Sequence, residues 1–285
     1  MALKRVKEPP PNDPPKPRIA FEAFGVSLSV EFDEPALQGR VEAVLPPGWE
    51  RRGSVPESHL FRLVSRNGVS YRVIGGGESL AGSSDLDVAL EVLDKQLRAF
   101  IAIRAPDHIF VHAGVVGWRG RAIVIPGMTF TGKTTLVAEL VRAGAEYYSD
   151  EFAPIDPQGR VHPYPKPLSI RPRDGSWSQV DHDSSHFGAA VGAEPIPVGV
   201  VAIAPYKPGA SWRPMRLSTG EGVLALLANT VPAHQRPAEA MTALGAAAAS
   251  AMVLEGERGE AREVVEALLE LAERDPVPAS TNGLG

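Results

Sequence analysis

Gly127, Gly132, Lys133 and Thr134 stand in the order G-x-x-x-x-G-K-[ST], inside the run Ile125–Leu136, IPGMTFTGKTTL. Residues of these types at this spacing suit one kind of ligand, a chain of phosphates. Glycines let the backbone curl so that successive N–H groups point inward at phosphate oxygens. A helix opening at Lys133 adds the positive end of its dipole. The Lys133 ammonium has the reach for β- and γ-phosphates, and the Thr134 hydroxyl is a hard oxygen ligand for Mg²⁺. Gly127, Met128, Thr129, Phe130, Thr131, Gly132, Lys133, Thr134 and Thr135 are therefore the candidate ATP-binding residues. An apolar strand before the loop and a helical pattern after it supply the context the motif requires. A mere glycine-rich turn would leave the Lys-Thr pair without a reason.

Holding a triphosphate and moving its γ-phosphoryl group are different tasks. Transfer needs the charge on that group neutralised and an acceptor hydroxyl aimed in line. Asp150 and Glu151, in SDE, end a β-rich stretch about 15 to 20 residues after the loop lysine, a spacing common in strand–helix–strand phosphate units. Asp150 is the candidate to hold Mg²⁺, directly or through water. Glu151 is the candidate base for the acceptor hydroxyl. Away from a phosphate loop, the same triplet would read as a solvated strand end. The run Asp181–His186, DHDSSH, is read as a loop that covers substrate, because its spacing is not a zinc-ligand pattern.

The stretch from Phe110 to Pro172 resembles the catalytic domain of HPr kinase/phosphorylase and its relatives, a separate branch of phosphate-loop kinases. The likeness rests on VHAG with His112 upstream of the loop, the loop itself, the acidic pair, and LSIRP (Leu168–Pro172) where those enzymes carry Glu-Ile-Arg-Gly. It implies a P-loop kinase domain with a mixed sheet and flanking helices, and ATP and Mg²⁺ as cofactors. It implies catalytic roles for His112, Lys133, Asp150 and Glu151, with Mg²⁺ at Thr134 and Asp150. His112 beside a carboxylate would be an orienting pair, where a lone strand histidine is otherwise a core residue. Arg171 would contact substrate through its guanidinium fork, with a surface ion pair as the plainer alternative. Two departures matter. Glu151 replaces an aspartate, and Pro172 replaces the glycine of a stretch tied to the reverse, phosphorolytic reaction. The resemblance therefore implies a one-way kinase acting on serine in a protein, in a peptide or as the free amino acid. The relatives often form hexamers, so a homo-oligomer is expected. The rival reading is a nucleotide-gated binding or regulatory module with little turnover, which has no need of a base. No Asn-Lys-x-Asp guanine signature occurs, which argues against a GTPase switch.

The composition agrees with such a site. The 285 residues are 44% hydrophobic and 22% charged, with a net charge of -5. No Lys/Arg patch or stripe of the kind that tracks a phosphate backbone occurs, so nucleic acid is not an expected partner. Cysteine is absent, which excludes disulfides and thiolate metal sites and fits a reducing cytoplasm. No apolar run is long enough to span a membrane. The chain opens on a basic, Pro-rich stretch, MALKRVKEPPPNDPPKPR, expected to be a disordered tail rather than a secretory signal.

Periodicity then sketches the elements that hold the site. The fold class expected is α/β: residues 1–18 as tail, 19–105 as a small β-rich N-terminal domain with a bridging helix, 106–275 as the P-loop domain, and 276–285 as a second tail. Within the first domain, Gly25–Phe32 alternates as a strand. Leu60–Gly77 reads as a hairpin across Asn67-Gly68, and ESLAGSS (78–84) as a loop. Ser84 opens a helix that ends before Pro106, with Leu86, Leu90, Leu93, Leu97 and Ile101 on one face. In the second, His108–Val116 is a strand, Gly117–Gly120 a turn and Arg121–Ile125 a strand. A helix from Lys133 to about Ala143 stops at Gly144, and Glu146–Ile155 continues as strand to a turn at Asp156–Arg160. Val198–Tyr206 reads as a buried strand. Ser218–Glu221 is a capping box for the helix that follows, with further helices over Pro237–Leu254 and Ala261–Arg274.

Overall fold

The computed structural model describes residues 16–53, 55–66, 68–128, 131–170, 180–182 and 190–273. Residues 1–15 and 276–285 of the two expected tails lie outside these. So do Asn67, Thr129, Phe130, Arg171, Pro172 and most of the DHDSSH run. The chain is mixed α/β and divides into two compact units, residues 1–98 and 99–285. The division falls within one long helix, Leu86–Arg104.

The first unit is a sheet built from β1 (Arg18–Ala23), β2 (Val26–Phe32), β3 (Glu50–Arg51), β4 (Leu60–Arg66), β5 (Ser70–Gly75) and β6 (Glu78–Ser83), with a short helix α1 (Gln38–Glu42). Its order is β3-β1-β2-β4-β5-β6, mixed because β2 and β4 run parallel. Alternation in the strands buries Phe21, Leu28, Val30, Phe32, Leu63 and Val73. The 78–84 stretch is not a loop. Gly76 and Gly77, at φ 60° and 82°, make the tight two-residue turn, and β6 returns along β5. Its Gly-Ser composition reads as loop locally, but the edge of β5 supplies the hydrogen bonds that make it a strand. Helix α2 (Leu86–Arg104) is opened by Asp85 rather than Ser84. The Asp85 carboxylate accepts from the Asp87 N–H at 2.8 Å. Leu90, Leu93, Leu97 and Ile101 are buried on it.

The second unit places helices on both faces of a larger mixed sheet. In chain order it contains β7 (Ile109–Trp118), β8 (Arg121–Pro126), α3 (Lys133–Arg142), β9 (Glu146–Ser149), β10 (Phe152–Ile155), β11 (Arg160–Val161), β12 (Leu168–Ile170), β13 (Val180–His182), β14 (Ile196–Ile203), β15 (Met215–Arg216), α4 (Thr219–Leu227), α5 (Pro237–Ala249), β16 (Met252–Glu255) and α6 (Arg262–Glu273). The main sheet runs β11-β10-β7-β8-β14-β16-β15, with β9 also on β7, and β12 and β13 form a separate pair. The strands β8, β14 and β16 are parallel neighbours. Strand alternation sorts the core into two layers. Val116, Ile123, Ile125 and Val200 meet Leu136, Val137 and Leu140 of α3 and Val264 and Leu268 of α6. Val111, Val115, Val124 and Val201 meet Val223 and Leu226 of α4 and Ala243, Leu244 and Ala247 of α5. A sheet covered on both sides explains why β8 and β14 are near-continuous apolar runs.

Three expectations for this unit change. β7 runs on to Trp118, and the turn to β8 is Arg119-Gly120, both at positive φ. The helix from Pro237 stops at Ala249, because Met252–Glu255 leaves it to pair in parallel with Val200–Ile203. The Ala-rich sequence contains no helix breaker there, so the open edge of β14 decides the outcome. Third, Glu146–Ile155 is not one strand. The Ser149 hydroxyl captures the N–H groups of Glu151 and Phe152, both at 3.1 Å, and bends the chain between β9 and β10. That bend carries the acidic pair. The helix over the capping box forms as expected. Ser218 accepts from the Glu221 N–H, and the Glu221 carboxylate accepts from the Ser218 N–H at 2.8 Å.

Candidate functional site

The loop between β8 and α3 is drawn tight. The Gly127 N–H donates to the His112 carbonyl at 3.2 Å, so the loop starts against β7. A Cβ on Gly127 would sit 2.9 Å from the Thr131 hydroxyl oxygen, so any other residue would have to displace that side chain. Gly132 caps α3 in the left-handed region, at φ 84°. The Met128 carbonyl accepts from both the Thr131 hydroxyl and the Lys133 ammonium, each at 3.0 Å. Thr135 is exposed on the first turn of α3, and Met128 is largely exposed. Thr129 and Phe130 lie outside the described residues.

Lys133 is buried, with 8% of its surface exposed. Burial lowers its pKa, and the Asp150 charge offsets part of that. Asp150 is the counterpart. Burial pushes its carboxyl up to about 7, against the Thr134 hydroxyl bond and the Lys133 charge, which both pull it down. Its Oδ1 is buried without a hydrogen-bond partner among the described residues. Lys133, Thr134 and Asp150 are thus brought together at the N-terminus of α3.

The other expected residues are placed less completely. His112 lies on the face of β7 that also carries Gly114 and Val116, the face packed by α3. Its ring meets Phe152 of β10 at 5.1 Å between centroids. Glu151 is half-buried on the bend, its carbonyl accepting from the Ala113 N–H at 3.2 Å. Arg171 lies outside the described residues.

Two residues escaped the sequence reading. Gly114 leaves β7 flat where α3 crosses it. A Cβ there would come 2.5 Å from Val137 Cγ2 and 3.9 Å from both Asp150 Oδ1 and Lys133 Cβ. A glycine inside an apolar strand is a sign of such close approach, and VHAGVV carries it. We expect Gly114→Ala to cost about 1–3 kcal/mol by overpacking and to displace the lysine-bearing turn of α3. Urea denaturation checks the first effect and nucleotide affinity the second. The other is Arg258, a fully buried guanidinium that reaches the loop from the far end of the chain.

The donors suit a hard cation rather than a protein-made cage. Among the described residues no group of three or more His, Asp or Glu could hold a metal ion. A hydroxyl and one carboxylate with an orphaned buried oxygen fit the mode in which phosphates and water complete the coordination of Mg²⁺. Among the described residues no helix is long and apolar enough to cross a membrane. No family model matches the chain, and no curated protein matches it.

Proposed function

We propose that this chain is an ATP-dependent phosphotransferase of P-loop kinase type, moving the γ-phosphoryl group to the hydroxyl of serine in a protein, a peptide or the free amino acid. The observation that carries this reading is the meeting of buried Lys133 with half-buried Thr134 and Asp150 at the mouth of a glycine loop. Loop N–H groups and the first turn of α3 hold the phosphates. Lys133 leaves the Met128 carbonyl to meet the β- and γ-phosphates. Thr134 and Asp150 would hold Mg²⁺, which supplies neutralising charge at those oxygens when bound. His112, on the same face of β7, orients the acidic pair. Glu151 accepts the proton of the serine hydroxyl as that oxygen bonds to phosphorus and ADP leaves with the bridging oxygen. A cytoplasmic location, where ATP is the common donor, goes with this reading.

The experiment is incubation with ATP and Mg²⁺ and a panel of free serine, serine peptides and HPr, with mass spectrometry of each acceptor. A phosphate added to one of them is the expected result. Tight ATP binding with no acceptor modified would favour a binding or regulatory module instead. Absence of ATP binding would sink both. Within the kinase reading, Glu151→Gln is expected to keep ATP affinity within about twofold and to lose roughly 10²–10⁴ in transfer rate, because a base acts in the reaction and not in nucleotide binding. Weak ATP binding with full turnover at saturation would reassign Glu151.

A further inference from the structure

Arg258 is 1% exposed and is the largest fully buried side chain among the described residues. A guanidinium so deep ordinarily faces a carboxylate. Here the Glu260 carboxylate acts on it through charge, and its hydrogen bonds go to main-chain carbonyls: Nη1 donates to Gly259 O at 3.0 Å and Nη2 to Gly132 O at 2.7 Å. Its Nε is buried with no hydrogen-bond partner among the described residues. The ring of Tyr206 lies 5.7 Å from the guanidinium carbon. The main chain of Arg258 also secures Tyr206: the Arg258 N–H donates to Pro205 O at 3.0 Å, and the Lys207 N–H donates to Arg258 O at 2.8 Å. Tyr206 in turn donates its own N–H to Thr131 O at 3.2 Å.

The loop therefore has two consecutive carbonyls, Thr131 and Gly132, tied to one side by Tyr206 and Arg258. All described peptide bonds are trans, and in a trans peptide the N–H points opposite the C=O of the same unit. Holding Thr131 O back turns the Gly132 N–H to the other side. Holding Gly132 O back does the same for the Lys133 N–H. The Leu136 N–H also bonds Gly132 O, at 3.2 Å, but no element of α3 reaches Thr131 O. From this geometry we infer that Arg258 is a positioning residue for the anion cradle, fixing the Gly132 and Lys133 N–H groups toward the phosphates before any ligand arrives. The tight fit is mutual: a Cβ on Gly132 would lie 2.6 Å from Arg258 Nη2. The ligand class, a di- or triphosphate, rests on the phosphotransferase reading; the clamp itself does not.

The test separates the two. Amide hydrogen exchange in the ligand-free protein reads the clamp directly, and titration with ATP and with inorganic pyrophosphate reads its consequence. Arg258→Met keeps the buried stem and removes the donors. It should speed exchange at the Leu136 and Tyr206 amides, whose acceptors are Gly132 O and Thr131 O, at least about tenfold, leave the Leu140 amide in the middle of α3 unchanged, and weaken both ligands by a similar factor, the scale of one lost charge-assisted hydrogen bond. Arg258→Lys keeps the charge but not the fork, and should give a smaller change, roughly threefold, in the same direction. If Arg258→Met does not fold, the lysine variant carries the test. Exchange at the Leu136 and Tyr206 amides equal to wild type in the variants, or exchange raised evenly through α3 and the sheet, overturns the inference. Wild-type protein that binds neither ATP nor pyrophosphate overturns the phosphotransferase reading, while the exchange result still decides the clamp.

Discussion

Lys133→Ala should cut phosphoryl transfer by roughly 10²–10⁴-fold, the scale on which preorganised charge at a transition state acts, while the protein still folds. The side chain is buried at the mouth of the loop, and among the described residues its ammonium donates to the Met128 carbonyl, an acceptor that ligand oxygens can replace. Removing it also has an electrostatic signature that needs no substrate. The Lys133 charge is one of two influences that hold the Asp150 carboxyl down against burial. In the alanine variant that carboxyl should titrate above its wild-type position near 7. Carboxyl chemical shifts followed through a pH titration measure this. Wild-type turnover in the variant would remove the phosphate-cradle reading. An Asp150 titration that does not move would show that the two groups are not coupled.

What could be read in the sequence, and what could not, follows contact range. The phosphate loop is legible because its chemistry is local: two glycines, a lysine and a threonine within one turn of chain do the work, and strand and helix patterns flank them. The capping box at Ser218 and the stop at Gly144 are legible for the same reason. The misreadings came where a partner strand outweighed local preference, as β5 does for the Gly-Ser stretch of β6 and β14 for the Ala-rich approach to β16. The acidic pair was found by spacing, but not the bend beneath it, which depends on a serine hydroxyl turning inward. Arg258 had no local signature at all. Its partner Gly132 lies 126 residues away, so only folding makes LEGERG part of the site. Gly114 lies between, visible as a glycine in an apolar strand but without any hint of which helix would cross it.

Asp150→Asn should weaken Mg²⁺-dependent transfer yet stabilise the ligand-free protein, and the gain should depend on pH in one direction. The Asp150 carboxyl moves from an ordinary 3.8 to about 7 on folding, chiefly through burial. Below about pH 3 it is protonated in both states, so it adds no penalty and the variant has no advantage. As pH rises from 4 to 7 the unfolded chain releases the proton and the folded chain retains it, so wild-type stability declines. Above 7 both states are ionised and the full cost of burying the charge is in place. The asparagine variant, which never ionises and still offers Thr134 an acceptor oxygen, avoids that decline. Its advantage should grow through this window to roughly 2–4 kcal/mol and then level off. Urea denaturation at pH 4.5, 6 and 8 measures it. An advantage that is flat with pH, or that shrinks toward pH 8, would mean that the carboxylate is well solvated where it stands. The pairing of lost transfer with gained stability is the mark of a charge held at a cost for a ligand's sake, because a carboxylate kept only for the fold would lose stability when neutralised.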